Sequence, residues 1–214
     1  MATSFTSADV GFAASAIAAG VKAATDELNA QDGKLGDGDL GITVSAGWQA
    51  VADMRDAFPS DVGKAFLAAA KAFQSVSSSS FGTIVASAFM AVAKRTVGRT
   101  EIPFAEVPDL IAVARDAMIA RGKGALGDKT VLDSLEAVRL ALTGITEPLA
   151  MRQSAVAAAN AALAGFRDKP NRLGRARMFA ERSIGLDDPG MLAFFRIVSS
   201  LPGMPVFIQP AARD

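Results

Sequence analysis

Alanine-rich segments with apolar residues at helical spacing recur along most of this 214-residue chain, and long strand-like alternation is nearly absent. Glycine, proline or serine clusters separate the segments by short connections, which favours antiparallel packing of neighbouring helices. We therefore predict an all-α fold, an antiparallel up-and-down bundle or barrel of eight or nine helices. The predicted helices cover about 8–30 (capped by Ser7), 42–57, 61–74, 82–97, 109–121, 130–142, 148–167, 173–183 and 189–200.

Length and composition bound the domain organisation. Half of the residues are hydrophobic, which is enough for a large core, and no linker is long enough to divide the chain. We predict a single domain over 1–214, with an irregular proline-containing tail from about 202. We find neither the basic start and apolar run of a signal peptide nor a stretch of about 18 apolar residues that could span a membrane. These features predict a cytoplasmic protein.

The missing residue types exclude several kinds of chemistry. The chain has no cysteine and no histidine, which excludes disulfides, thiolate catalysis, cysteine-based zinc sites and a Ser-His-Asp triad. Lys plus Arg and Asp plus Glu both number 22, and zero net charge argues against a large nucleic-acid interface. Carboxylates, lysines, arginines, hydroxyls, backbone amides and bound ions remain for chemistry.

Three aspartates crowd one glycine-rich segment, the acidic loop (residues 32–39), at Asp32, Asp37 and Asp39. At an effective dielectric near 20, two such charges about 4 Å apart repel by roughly 4 kcal/mol. A folded loop would therefore need a hard divalent cation among the carboxylates, whereas a solvent-exposed turn needs none. An EF-hand is excluded because Trp48 stands where its bidentate glutamate belongs. A metal site and an exposed turn both remain open.

Further loops between predicted helices also carry polar residues. The serine run 77–80 precedes a helix, where hydroxyls and amides either bind an anion or simply cap the helix. Segment 122–130 resembles a P-loop, but an aspartate separates its second glycine from Lys129; we reject that motif and predict a flexible loop with Lys129 available. The arginine loop (residues 172–182) carries four arginines, which either grip phosphate or form a solvated face. Segment 185–190 fits a helix cap.

Taken in order, these loops resemble those of the L subunit of dihydroxyacetone kinase (DhaL), and the resemblance covers almost the whole chain. The acidic loop matches the family's Asp-x4-Asp-x-Asp pattern, followed by Gly41, and the serine run has a counterpart in the family's serine-glycine loop. Gly-Asp-Lys-Thr at 127–130 matches a family stretch. So do Gly-Arg-Ala at 174–176, Glu-Arg-Ser-Ile-Gly at 181–185 and Asp-Pro-Gly at 188–190.

The resemblance implies a barrel of eight antiparallel amphipathic helices whose loops at one end hold ADP or ATP through two magnesium ions. Asp32, Asp37 and Asp39 would coordinate both ions and would be catalytic through them. The nucleotide would lie along the helix start after the acidic loop, the serine run and the later loops. The residues implied for nucleotide binding are Leu40, Gly41, Ile42, Thr43, Ser79, Ser80, Gly122, Val131, Arg175, Asp188, Pro189 and Gly190.

Two departures from the family pattern concern the nucleotide site. Leu40 stands where the family usually has histidine, so a hydrogen bond near the phosphates is lost. The family's glycine-rich loop is serine-rich here, with Phe81 inserted. Both departures indicate a divergent subfamily, with a different sugar substrate as one option.

The function that the resemblance implies is phosphoryl transfer to dihydroxyacetone or a related short-chain ketose, held covalently by a histidine of a separate K subunit. Having no histidine, this chain cannot hold the ketose in that way, so we expect it to be the nucleotide-carrying subunit. The phosphate donor is either free ATP or a phosphotransferase-system protein that rephosphorylates bound ADP. No nucleic-acid or membrane partner is expected, and a homodimer is left open. The alternatives are a nucleotide-sensing regulatory subunit without turnover and a plain helical interaction domain.

Overall fold

The computed structural model describes residues 3–77 and 79–202, with the backbone alone at 175 and 176. Within those residues, the regular structure consists of α-helices, a two-stranded ribbon and short 3-10 helices. The α-helices are α1 (Ser7–Ala23), α2 (Thr25–Asp32), α3 (Leu40–Asp53), α4 (Val62–Val76), α5 (Ser80–Thr96), α6 (Val107–Gly122), α7 (Val131–Ala141), α8 (Pro148–Phe166) and α9 (Pro189–Ser199). The strands are β1 (Ser4–Thr6) and β2 (Glu101–Pro103).

Eight of these helices form a closed ring. α1 contacts α3, each helix from α3 onward contacts the next, and α9 returns to contact α1. α2 lies against α3 and α9 beside this ring. The arrangement confirms the prediction of an all-α antiparallel barrel. Because successive helices alternate in direction, the loops that follow α2, α4, α6 and α8 share one end of the barrel.

Two of the predicted helices differ in the structure. The first is interrupted at Ala24, where α1 ends and α2 begins, and Thr6 rather than Ser7 caps it through a capping box with Asp9. Residues 173–183 form two 3-10 helices, Arg175–Phe179 and Glu181–Ser183, instead of an α-helix. Three arginines and a glycine leave this segment without a continuous apolar stripe, and burial of such a stripe is what stabilises short helices.

The ribbon of β1 and β2 is an element that the sequence did not predict. Phe5 pairs with Ile102 in antiparallel register, and Ile102 is completely buried beside Val62 and Leu110. Strands of three residues are too short to show the alternation that identifies a strand. The ribbon fastens the start of the described chain to the connection between α5 and α6.

A hydrophobic cluster supports the end of the barrel that carries the loops. It joins α1, α2, α3 and α9 through buried residues that include Val21, Leu28, Leu40, Val44 and Met191. The predicted irregular tail lies outside the described residues apart from its first position. Among the described helices, none combines the length and apolar character needed to cross a bilayer.

Candidate functional site

A cleft of about 830 Å³ opens at the end of the barrel where the four loops meet. Its size is within the range of small-molecule and cofactor sites. The residues predicted for the site line this cleft, except Gly41 and Ile42; the side chain of Arg175 lies outside the described part of the chain. Those that line it are Asp32, Asp37, Asp39, Leu40, Thr43, Ser79, Ser80, Gly122, Val131, Asp188, Pro189 and Gly190.

The acidic loop brings its three carboxylates together. One oxygen from each of Asp32, Asp37 and Asp39 lies within 4.8 Å of the others, with Asp32 half-buried and the other two exposed. These are hard oxygen donors at the spacing that a divalent cation requires, so the donor set fits magnesium. Asp39 precedes α3, but its side chain makes no capping bond to that helix.

Asp32 also closes the acidic loop. Its Oδ2 accepts hydrogen bonds from the backbone amides of Gly38, Asp39 and Leu40, at 2.9, 3.1 and 3.4 Å. Gly38 has φ +76°, a left-handed conformation that glycine adopts without strain. One oxygen of Asp32 therefore shapes the loop and the other stays available to a cation.

Two backbone amides at the start of α3 already donate to an acceptor within the protein. The side-chain oxygen of Asn29 accepts from the amides of Gly41 (2.8 Å) and Ile42 (3.3 Å), which would otherwise lack partners in the first turn. A Cβ at Gly41 would collide with the carbonyl of Thr25, so glycine permits the close approach of α2 and α3. Ile42 is 60% exposed. Leu40 and Thr43 are thus the residues of this helix start that face the cleft.

The serine run provides a second helix start at the cleft. Ser79 caps α5 by accepting from the amide of Gly82 at 3.0 Å, and its hydroxyl also contacts that of Ser77 at 3.0 Å. Ser80 is the first residue of α5 and lines the cleft beside Phe81. The serine run therefore both caps α5 and faces the cleft, and the hydroxyl of Ser79 is used by the cap.

The loop between α6 and α7 contradicts one prediction. Lys129 was expected to be available in a flexible loop, but it is completely buried. Its ammonium donates to the carbonyl oxygens of Arg167, Lys169 and Ser183, at 2.9, 2.8 and 2.8 Å. All three of its donors are used, and burial lowers its pKa. The sequence pattern identified the residue, but only the fold shows where its side chain goes.

Asp188 lies at the start of α9, where it caps the helix by accepting from the amide of Met191 at 2.8 Å. Its other oxygen accepts from the side-chain amide of Asn171 at 2.7 Å. Burial raises the pKa of Asp188 to about 6, while the hydrogen bonds from Met191 and Asn171 and the charge of Lys129 favour the ionised form. The capping role predicted for segment 185–190 is present, and Asp188 also forms part of the cleft wall.

Sequence reasoning missed several residues that line the cleft. One is Arg121, which is exposed and directly precedes Gly122, a predicted site residue. The exposed Arg177 also lines the cleft; it belongs to the arginine loop, whose four arginines the sequence analysis offered for phosphate binding without singling it out. The apolar part of the lining gave no signal because its residues read as ordinary core positions; it includes Ile84, Met118, Leu132 and Leu173.

The cleft therefore combines three kinds of surface. A cluster of carboxylates can hold a hard cation, arginines and helix starts can contact anionic oxygens, and an apolar wall can cover a flat ring. Metal, phosphate and base are the parts of a magnesium-bound nucleotide.

The known proteins that are similar to this chain include ADP-binding subunits. The model of the DAK2 domain matches residues 34–202. The ADP-binding subunit DhaL of the PEP-dependent dihydroxyacetone kinase of Escherichia coli is 28% identical over 78% of this chain and 81% of its own length. A DhaL subunit from Listeria innocua is 30% identical over 77% of this chain and 79% of its own length.

Larger proteins are also similar. L-erythrulose kinase of Pectobacterium atrosepticum is 32% identical over 88% of this chain, which spans only 34% of that enzyme. The crystal structure of dihydroxyacetone kinase from C. freundii with AMP-PNP and Mg²⁺ superposes with a TM-score of 0.70 at 21% identity, and it covers 89% of this chain and 33% of its own. The chain thus spans about a third of these kinases and most of the separate DhaL subunits. Its matched residues and its fold together show that the chain belongs to the DAK2-domain family, with the DhaL subunits.

Proposed function

We propose that this chain is the nucleotide-binding subunit of a two-component kinase that transfers a phosphoryl group to dihydroxyacetone or a related short-chain ketose, erythrulose included. The observation that carries the proposal is the meeting of the acidic loop with two helix starts and two arginines in one cleft. The activities for which the similar proteins are named, dihydroxyacetone kinase and erythrulose kinase, supply the reaction class.

Asp32, Asp37 and Asp39 would hold the magnesium, two ions by analogy with the family. Bound magnesium offsets the negative charge of the phosphates and orients their oxygens. The chain's own residues then position the nucleotide. Ser80, Arg121 and Arg177 line the cleft. Ser80 and the start of α5 would face the phosphates, and the two arginines would offer guanidinium groups to anionic oxygens.

The ketose would be held elsewhere. Covalent attachment of a ketose in this family needs a histidine on a K subunit, and this chain has none. Phosphoryl transfer needs positioning and charge compensation more than covalent chemistry from the protein. A domain over 1–214 that carries the nucleotide to a K subunit is therefore a sufficient role for this chain, with either free ATP or a phosphotransferase-system protein as donor.

Calorimetry with ADP, with and without Mg²⁺, tests the nucleotide half of this proposal. We expect binding that requires Mg²⁺ and that Asp37→Ala abolishes, while Asp56→Ala, a change at a 95% exposed carboxylate, leaves it intact. Unchanged magnesium-dependent binding in Asp37→Ala would remove that residue from the metal site. The absence of any binding to the wild-type protein would reject the nucleotide role and favour a plain interaction domain.

Mixing the chain with K subunits tests the kinase half. Phosphorylation of dihydroxyacetone or erythrulose in the mixture supports the proposal, and the ketose that reacts faster identifies the substrate. Good ADP binding with no phosphorylation by any K partner would favour the alternative of a nucleotide-sensing subunit. Dependence on added ATP, or on a phosphotransferase-system protein when ADP stays bound, distinguishes the two donors.

A further inference from the structure

The arginine loop contributes Leu173, Gly174, Arg177 and Met178 to the cleft, and a backbone hydrogen bond from Arg172 to Asp128 (3.0 Å) holds its first residue. Arg177 and Met178 are exposed, and the loop's regular structure is limited to 3-10 turns. Compact surface loops of this length have ends that lie close together. Contacts at the two ends of the arginine loop can therefore position the residues between them.

Lys129 holds both ends of the arginine loop from inside the protein. Its ammonium binds the carbonyl of Lys169, before the loop, and that of Ser183, directly after it. The third bond goes to the carbonyl of Arg167 at the end of α8, where a cation is favoured by the helix dipole. One side chain thus joins two stretches that lie 40 and 54 residues further along the chain.

Asn171 extends this anchor to the cleft wall. Its side-chain amide donates to the backbone carbonyl of Lys129 at 2.8 Å and to Asp188 at 2.7 Å, and its backbone amide donates to the hydroxyl of Ser183 at 2.8 Å. Lys129, Asn171 and Ser183 are all completely buried. A continuous set of buried hydrogen bonds therefore links the start of α7, the base of the arginine loop and the start of α9.

Lys129 adopts a backbone conformation that is unfavourable for a residue other than glycine. This indicates that the hydrogen bonds of its side chain outweigh the local backbone cost. Its φ is +60°, in the left-handed region that costs a non-glycine residue about 1 kcal/mol or more. A glycine would relieve that strain but would remove the ammonium. The carbonyl oxygen of Lys169 would then lose this donor, and those of Arg167 and Ser183 would keep only the backbone amides of Gly185 and Leu186. Direct contact between Lys129 and a phosphate is excluded by its burial and by its fully used donors.

We propose that Lys129 is a positioning residue for the nucleotide: it fixes the base of the arginine loop and, through Asn171, the start of α9, so that Arg177, Asp188 and Gly190 face the cleft together. This inference rests on the proposed nucleotide-binding function for its ligand. Its structural part, the anchoring of the loop, is independent of any ligand.

The test compares Lys129→Met, which keeps the aliphatic stem and removes the ammonium, with Lys71→Met, at an exposed lysine on α4. We expect the dissociation constant of Mg-ADP to rise tenfold or more in Lys129→Met, and the affinity for Mn²⁺ alone, measured by electron paramagnetic resonance, to change less than twofold. Trypsin should cleave after the arginines of the loop at least tenfold faster than in the wild-type protein. Lys71→Met should match the wild type in all three measurements.

A milder variant guards against general unfolding of Lys129→Met. Ser183→Ala removes the hydroxyl that accepts from Asn171 and leaves Lys129 in place. We expect the dissociation constant of Mg-ADP and the rate of trypsin cleavage each to rise about threefold in this variant. Wild-type resistance to trypsin in either folded variant would overturn the proposal, as would an equal loss of Mn²⁺ and Mg-ADP affinity. If the wild-type protein does not bind Mg-ADP at all, the proposed function fails, but the trypsin comparison still decides whether Lys129 anchors the loop.

Discussion

The acidic loop and the arginine loop line the same cleft but are held in opposite ways. The acidic loop is held by hydrogen bonds between residues close together in the sequence. Asp32 accepts from backbone amides six to eight residues away, and Asn29 accepts from backbone amides twelve and thirteen residues away. The arginine loop is held by a lysine 40 to 54 residues away. A carboxylate-rich loop of this kind can be recognised from local sequence, whereas the position of the arginine loop depends on the whole barrel.

The largest effect is expected from Asp32→Ala, because Asp32 both belongs to the candidate cation site and closes the acidic loop. Magnesium-dependent ADP affinity should fall by on the order of 100-fold or more, about 3 kcal/mol, as measured by calorimetry. Amide hydrogen exchange at Gly38 should also accelerate. Asp39→Ala is the matched control for closure, since it should lower affinity without faster exchange at Gly38. Equal exchange rates in the two variants would show that the acidic loop does not close on itself.

Leu40→Ala tests whether the acidic loop also depends on the core. Leu40 is 8% exposed and packs in the cluster that joins α1, α2, α3 and α9. Loss of its side chain should lower the free energy of unfolding by about 2–3 kcal/mol in urea titrations. Leu140→Ala, at a 58% exposed position, should change it by less than about 0.5 kcal/mol. Similar values for both would mean that Leu40 contributes to the cleft alone and not to the core.

Asp188 gives the arginine-loop side of the cleft a dependence on pH. Its pKa is about 6 in the folded protein against an ordinary value of 3.8, so between these values the folded state binds the proton more tightly. The contribution of Asp188 to stability therefore falls as pH rises from about 4 to about 6, by on the order of 2–3 kcal/mol. The wild type should lose this amount relative to Asp188→Asn in urea titrations across that range. A constant difference between the two proteins would contradict the raised pKa.

Asn29→Ala is expected to have the smallest effect of these four changes. It removes the acceptor for the amides of Gly41 and Ile42, and loss of such a cap costs about 1 kcal/mol of stability. Asn160→Ala, at an exposed site within α8, should not destabilise the protein because alanine is the better helix former. If Asn29→Ala lowers stability as little as the control does, water must replace the cap. The local hydrogen bonds of the acidic loop would then contribute less to holding it than proposed.

The candidate site was partly predictable for the same reason that the two loops differ. The three aspartates and the serine run are short local patterns, so their chemical roles can be predicted without knowledge of the fold. The structure brings them to one cleft. The prediction for Lys129 was wrong because sequence spacing gives no information about which side of a loop faces the interior. Arg121 was missed because a cationic residue near a glycine is common on protein surfaces, and Arg177 was not singled out from the other arginines of its loop.

By itself, the sequence determined the helical segments, their approximate ends, the absence of histidine and cysteine chemistry, and the aspartate spacing that suits a hard cation. These properties depend on residue type and on contacts within a few turns of the chain. The tertiary structure decided that α9 closes the ring against α1, that Leu40 belongs to the core and that Lys129 points inward to three distant carbonyl groups. Such features depend on which segments meet, and that is fixed by burial over the whole barrel.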